Sequence, residues 1–257
     1  MPVHPTAIVD GRAELDASVE VGPFSVLGPH VRVGAGTVIG PHVVIEGRTT
    51  IGKNNRIFQF AALGAAPQDL KYAGEDTELV IGDGNRIREF TTLHIGTTGG
   101  GGVTRLGNGN LIMANAHVAH DCQVGDGVVM ANSVALAGHV SVGDHAVLGG
   151  LCAVHQFCRI GRHAFLAGGT IVVMDIPPFC LARGDRARLA GLNVVGLTRR
   201  GFSAEAVGRI KQAYKILFRS ALPLAAAVQQ ARAELGGHPE VDELLNFVAT
   251  SDRSITR

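Results

Sequence analysis

The 257-residue chain carries 23 basic and 22 acidic residues for a net charge of +1, a balance without the basic excess of a nucleic-acid binder. Apolar residues make up 46 %, but with no Trp, two Tyr and 35 Gly the expected interior is narrow and aliphatic. The opening MPVHPTAIVD has neither a basic start nor a long apolar segment, no run of about 18 apolar residues follows, and none of Cys122, Cys152, Cys158 and Cys180 forms a CxxC pair, so the expectation is a reduced, cytoplasmic protein with no signal peptide, membrane span or zinc knuckle.

From the N-terminus the chain repeats with a period of six. Val3, Val9, Leu15, Val21, Leu27, Val33, Ile39, Ile45, Ile51, Ile57 and Leu63 form an unbroken aliphatic series. Two places before most of them stands a small or β-branched residue, as at Ala7, Val19, Ser25, Thr37 and Ala61. The next residue is often glycine (Gly22, Gly28, Gly34, Gly40, Gly52, Gly64), which is expected to relieve a turn with positive φ. The series returns at Ile81, Ile87 and Leu93, then slips by one and runs from Leu106 to Val172. A period of six fits no α-helix. It fits short strands joined by turns, three to a coil, with coils stacked by backbone hydrogen bonds. The expected fold is therefore a parallel β-helix. The two breaks in the series, 66–78 and 96–103, are expected to be loops expelled from the prism, since the phase resumes after each.

The period is lost from about Pro177. Ser203 is a good N-cap for a helix over 204–219; Pro223–Leu235 reads as a second helix ended by Gly236 and Gly237, and Pro239 starts a third that runs to about Thr250. The expected division is a β-helix over 1–186 and a helical unit over 187–257.

Positions one coil apart share a face, so Val118, Leu136 and Val154 form a column, joined by Leu93 if the second loop is excised. His120, His139, His155 and His94 then fall on one face in successive coils, with His117 beside them. Such convergence marks a candidate site. Two chemistries could use it. Imidazole is a common zinc ligand. Alternatively His120 acts as a general base oriented by Asp121, with the backbone N–H of Gly138 facing a developing oxyanion, an arrangement suited to acyl transfer without a metal. Cys122, Cys152 and Cys158 occupy the small inward position and are expected in the core. Arg199 and Arg200 form a pair suited to a diphosphate.

Five blocks carry a resemblance to a known family: DLKYAG at Asp69–Gly74, NAHVAHDC at Asn115–Cys122, LAGHVSV at Leu136–Val142, AVHQF at Ala153–Phe157 and RRGFS at Arg199–Ser203. In order and spacing they resemble the UDP-N-acetylglucosamine O-acyltransferases of lipid A biosynthesis, and the likeness covers nearly the whole chain. The resemblance implies a left-handed β-helix, a homotrimer with sites between neighbouring prisms, and no cofactor beyond the acyl carrier protein that brings a 3-hydroxyacyl thioester on its phosphopantetheine. It implies His120 as the base acting on the 3-hydroxyl of UDP-N-acetylglucosamine, with Asp121 and Gly138 in the roles above. Asp69, Lys71, His94, His117, His139 and His155 would bind the sugar nucleotide, helped by Gln156, Asn193, Arg199 and Arg200, some across the subunit boundary. Gly168 would mark the end of the acyl chain. The chain departs from the family pattern at Ile95, Arg186 and Val195, which bear on nucleotide and acyl-donor binding. Transfer to the amine of a 3-amino UDP-sugar and a γ-type carbonic anhydrase-like metal enzyme are the alternatives.

Overall fold

The computed structural model describes residues 3–257. Residues 8–183 form a left-handed parallel β-helix, a prism of three faces. Among the described residues the first face has nine strands, from Ile8–Val9 to Ile171–Val172, and includes Thr92–His94, His117–Val118, Ala135–Leu136 and Ala153–Val154. The second has eight, from Glu14–Leu15 to Arg159–Ile160. The third has ten, from Glu20–Val21 to Cys180–Arg183, closed by Arg188–Leu192, which pairs antiparallel with Cys180–Arg183. The register matches the repeat: Leu93, Val118, Leu136 and Val154 are successive partners on the first face. The repeating aliphatics point inward, and Leu27, Ile45, Leu63, Leu93, Val118 and Leu136 are all but fully buried. Each such side chain stabilises the fold by roughly 1.5–3 kcal/mol. Cys122, Cys152 and Cys158 lie in this core as expected, and Cys180 is buried too.

The glycines work differently from expectation. Of the six after an aliphatic, only Gly64 has positive φ. A Cβ on Gly22, Gly34 or Gly40 would instead come within about 3 Å of the backbone of the coil above. These glycines allow close approach of stacked coils. The left-handed corners are taken mostly by other residues, among them Phe24, His42, Phe60, Phe90, Asp121, His139, Phe157, His145 and His163. Left-handed backbone disfavours L-residues by roughly 1–2 kcal/mol each. Here the side chains stack coil upon coil: Phe24, His42, Phe60 and Phe90 form a ladder with ring centroids 5.1–5.2 Å apart.

A polar ladder runs inside the prism, at the small inward position. Asn55 Oδ1 accepts from the backbone N–H of Asn85 (2.8 Å) and from its Nδ2 (3.0 Å); Asn85 Oδ1 accepts from Asn110 N–H (2.8 Å), and Asn110 Oδ1 from Val128 N–H (2.6 Å). Each carbonyl thus satisfies a buried donor of the next coil.

Four helices cap the C-terminal end: α1 (Val194–Arg199), α2 (Ala204–Arg219), α3 (Leu224–Leu235) and α4 (Pro239–Ala249). Ser203 caps α2 through Ala206 N–H, and Pro239 sits in the first turn of α4. The short α1 was not foreseen; Asn193 caps it by accepting from Gly196 N–H and also donates to His163 O. The helices dock through a second apolar cluster that includes Phe179, Leu197, Ile210 and Leu244, and through a forked Arg162–Glu243 ion pair at 2.7–3.0 Å. His163 lies in the seam, between His145 below and Phe179 above, with Phe202 edge-on.

Replacing Asn85 by Ala strands the Asn110 donor inside the prism; the expected loss is about 1–3 kcal/mol, read as a lower denaturant midpoint. A second prediction concerns pH. Burial, then the neighbouring Arg162, His145 and Arg200, lower the imidazole of His163 to about 4 from its ordinary 6.5, with Asp144 opposing. Between these values the unfolded state binds more protons at this residue than the native one, so the stability His163 contributes falls as pH drops through this window, and its share of the slope levels off below about 4. His163→Phe, which keeps the stack, should flatten part of this slope in denaturation curves at pH 7 and 5.

Candidate functional site

The site occupies the corner between the first and second faces. There Asp121, His139 and Phe157 hold the same left-handed position in three successive coils. Phe157 stacks on His139 at 4.4 Å between ring centroids, and His139 meets His120 edge-on at 5.0 Å. His120 Nδ1 lies 2.8 Å from Asp121 Oδ2, and His139 Nδ1 3.8 Å from the same oxygen. The Asp121 side chain is wholly buried, while the two rings keep partial exposure (14 % and 21 %) and so face both the core and solvent.

With Nδ1 committed to Asp121, the Nε2 of His120 is left for proton transfer. It faces Gly138: a Cβ on that residue would stand 2.6 Å from Nε2 and 2.5 Å from Cε1. Only glycine leaves the ring where it is. Gly138 O accepts from Phe157 N–H, and among the described residues Gly138 N–H has no hydrogen-bond partner. A base nitrogen and a free backbone donor thus lie side by side, the pairing that acyl transfer requires.

His94 and His117 adjoin this group, with ring centroids 4.9 Å apart. Thr92 Oγ1 lies 2.7 Å from His117 Nδ1. His94 is buried, and its Nδ1 has no hydrogen-bond partner among the described residues. Burial lowers His94 to about 4, with His117 and His120 adding repulsion. Burial also lowers His117, with repulsion from His120, and lowers His139, with Asp121 and Asp69 opposing. These three imidazoles are therefore neutral near pH 7, able to hydrogen-bond a ligand without charge repulsion at the base.

Both breaks in the repeat are excursions from the prism, and they meet. Asp69, Lys71 and Tyr72 of the first line a groove of about 220 Å³ with Thr97, Thr98 and Gly99 of the second. Asp69 Oδ1 accepts from Lys71 N–H at 3.0 Å.

The other expected residues lie higher on the same corner or on other faces. His155 stands at the same corner one coil higher, exposed, with Nδ1 3.2 Å from Gln156 O and 3.2 Å from Arg253 Nη2. Asn193, Arg199 and Arg200 line a groove of about 450 Å³ with Phe165, Leu181 and Val195 on the third face. Gly168 is exposed at the corner between the third and first faces. Of the departures, Ile95 turns into the core, Val195 is 63 % exposed beside Arg199 and Arg200, and Arg186 lines a separate basin with Arg188 and Arg257. His120, Asp121 and His139 are the described residues whose donor atoms lie close enough together to share a metal ion, all within 4.8 Å.

The sequence reasoning missed Phe157 as a partner of His139, although the 18-residue offset would have found it. It also missed Thr97, which has no periodic signal because it lies in an excursion. Gly138→Ala should drive the His120 ring from its place and lower kcat by about 100-fold, with the fold retained by circular dichroism.

Residues 175–256 match the model for domain 2 of UDP-N-acetylglucosamine O-acyltransferase, and 12–47 and 104–138 match that for bacterial transferase hexapeptide repeats. The chain is similar to the acyl-[acyl-carrier-protein]–UDP-N-acetylglucosamine O-acyltransferase of Myxococcus xanthus, at 63 % identity over 99 % of both chains. It is also similar to that of Anaeromyxobacter dehalogenans strain 2CP-1, at 58 % identity over 100 % of both. Among solved structures, UDP-N-acetylglucosamine O-acyltransferase from Moraxella catarrhalis superimposes with a TM-score of 0.97 at 43 % identity over 100 % of both chains. UDP-N-acetylglucosamine acyltransferase from Campylobacter jejuni does so with a TM-score of 0.94 at 37 % identity, covering 99 % of this chain and 98 % of that one.

Proposed function

Since the chain belongs to the UDP-N-acetylglucosamine O-acyltransferase family, we propose that it moves an acyl chain from acyl carrier protein to UDP-N-acetylglucosamine, the first step of lipid A biosynthesis, with His120 as general base. The observation that carries the base assignment is the His120–Asp121 hydrogen bond at 2.8 Å, with Nε2 turned to Gly138.

The geometry supports the following steps. Asp121 holds Nδ1–H, so Nε2 accepts the proton of the sugar 3-hydroxyl as its oxygen attacks the thioester carbonyl of a 3-hydroxyacyl chain. The carbonyl π electrons move to oxygen, and Gly138 N–H donates to the oxyanion. Collapse re-forms the carbonyl and breaks the C–S bond. The departing phosphopantetheine sulfur takes the proton from the imidazolium, and His120 returns to its neutral state. No cofactor enters this sequence. Asp69, Lys71, His94, His117, His139, His155 and Gln156 bind the sugar nucleotide around one corner of the prism.

We assign Asn193, Arg199 and Arg200 to the nucleotide as well, contributed by a neighbouring subunit of a homotrimer. Their third-face groove is remote in topology from the His120 corner, so one prism does not assemble the full set. An uncovered apolar surface supports association: Ile8, Val26 and Val44 point outward on the first face, and Phe24, Phe60 and Phe90 stand exposed along its edge. The second face presents Glu14, Arg32, Arg105, Gln123 and Arg159 instead. Contiguous apolar surface of this kind marks an interface. We take 1–186 as the acyltransferase unit and 187–257 as the helical unit that carries part of the nucleotide site. No helix among the described residues is long and apolar enough to cross a membrane; we place the protein in the cytoplasm, where its buried thiols stay reduced.

His120→Ala, assayed by mass spectrometry with UDP-N-acetylglucosamine and 3-hydroxyacyl carrier proteins, should lower kcat by about 10²–10⁴-fold; near-normal turnover would refute the base. A 3-amino UDP-sugar in the same assay should be the poorer acceptor. Gly168→Met, tolerated because a Cβ there makes only ordinary contact at 3.4 Å with Gly150 O, should shift preference toward shorter acyl chains. A metal enzyme using His120, Asp121 and His139 is the second reading, favoured by the proximity of their donor atoms. It requires activity to disappear on dialysis against a chelator, whereas the first reading expects activity to persist.

A further inference from the structure

Asp121 is buried, and a buried carboxylate stays charged only when its oxygens are met by donors. It receives three side-on bonds. His120 Nδ1 supplies one, at 2.8 Å to Oδ2. The other two come from a single residue of the second excursion: Thr97 N–H donates to Oδ1 at 2.8 Å, and Thr97 Oγ1–H donates to Oδ2 at 2.6 Å. Thr97 is itself buried and in extended backbone.

The excursion that carries Thr97 is anchored. Thr97 O accepts from Gly100 N–H (3.0 Å) and Gly102 N–H (2.8 Å). Thr77 Oγ1, at the end of the first excursion, donates to Gly96 O at 2.6 Å. A Cβ on Gly100 would overlap the Asp121 carboxylate, so the turn lies directly against it. From below, Thr104 Oγ1 accepts from Asp121 N–H at 2.7 Å. The carboxylate is thus held in a clamp that the prism alone does not supply.

We propose that Thr97 is the positioning residue of the His120–Asp121 pair. Its N–H and hydroxyl fix both carboxylate oxygens, so that Oδ2 always meets Nδ1 and Nε2 is always presented to the substrate hydroxyl. Freed of Thr97, Asp121 could rotate and release the ring. The proposal rests on His120 as the base. It also links that base to substrate binding, because Thr97 lines the same groove as Asp69, Lys71 and Tyr72.

The test compares Thr97→Val, which keeps the shape and backbone donor but loses the hydroxyl, with Thr97→Ser, which keeps both donors. Thr97→Val should lower kcat by about tenfold or more, with the KM for UDP-N-acetylglucosamine changed less than about twofold. Thr97→Ser should restore most of the rate. The proton resonance of the His120 Nδ1–H, hydrogen-bonded to Asp121, should move or broaden in Thr97→Val and stay in Thr97→Ser. Wild-type kcat and an unmoved resonance in folded Thr97→Val would overturn the proposal, as would equal impairment in both variants at unchanged melting temperature. His120→Ala run in parallel separates the two claims. If that variant kept its turnover the base assignment would fall, and the resonance would still decide whether Thr97 holds the pair.

Discussion

The structure depends on one constraint: the backbone N–H groups of each coil must find carbonyls on the next coil at a fixed register. Ile8 N–H reaches Ser25 O, Val26 N–H reaches Val43 O, and Val44 N–H reaches Ala61 O, and so on up the first face. Fixed register turns sequence periodicity into vertical columns. Each column then has its own requirement. Inward positions must be aliphatic, or carry a polar atom that meets a donor of the next coil, as Asn55, Asn85 and Asn110 do. Contact positions must be small. Corner positions must accept left-handed backbone, and the side chains there stack into ladders.

The site inherits its geometry from that constraint. The corner of Asp121, His139 and Phe157 is one such ladder, and its spacing sets the edge-on meeting of His139 with His120. The prism alone supplies the base, the carboxylate and the Gly138 donor. What it lacks is a wall around them, and the two excursions provide it. Leaving and rejoining the coil in phase, they cost no register and bring polar residues over the corner. Burial lowers His94, His117 and His139 below the ordinary imidazole value, so these rings do not compete as cations for the Asp121 carboxylate near pH 7.

Much of this was legible in the residues because register is simple arithmetic. The period of six gave the prism, the core cysteines and the column behind His120, His139 and His155. Helix starts at Ser203 and Pro239 were readable because capping is local. Most of the glycines after the aliphatics were visible but misattributed: at Gly22, Gly34 and Gly40 the demand comes from the coil above, a contact distant in sequence, and only Gly64 needs its glycine for its own φ. The basic pair Arg199 and Arg200 was legible as a pair suited to a diphosphate, but not its place at the C-terminal end of α1, a helix too short to show its own periodicity.

The sequence by itself determined a parallel β-helix and its register, because a period of six fits short strands stacked in phase, and it determined which residues share a face; the left hand of the coil came with the family resemblance. The tertiary structure decided what those residues touch. That Thr97 closes on Asp121, that Gly138 underlies the His120 ring, and that Ile95 turns inward all depend on where two aperiodic excursions land. It also separated Asn193, Arg199, Arg200 and Gly168 from the His120 corner within one prism. No local pattern encodes such contacts, since they join segments whose spacing in the chain carries no period.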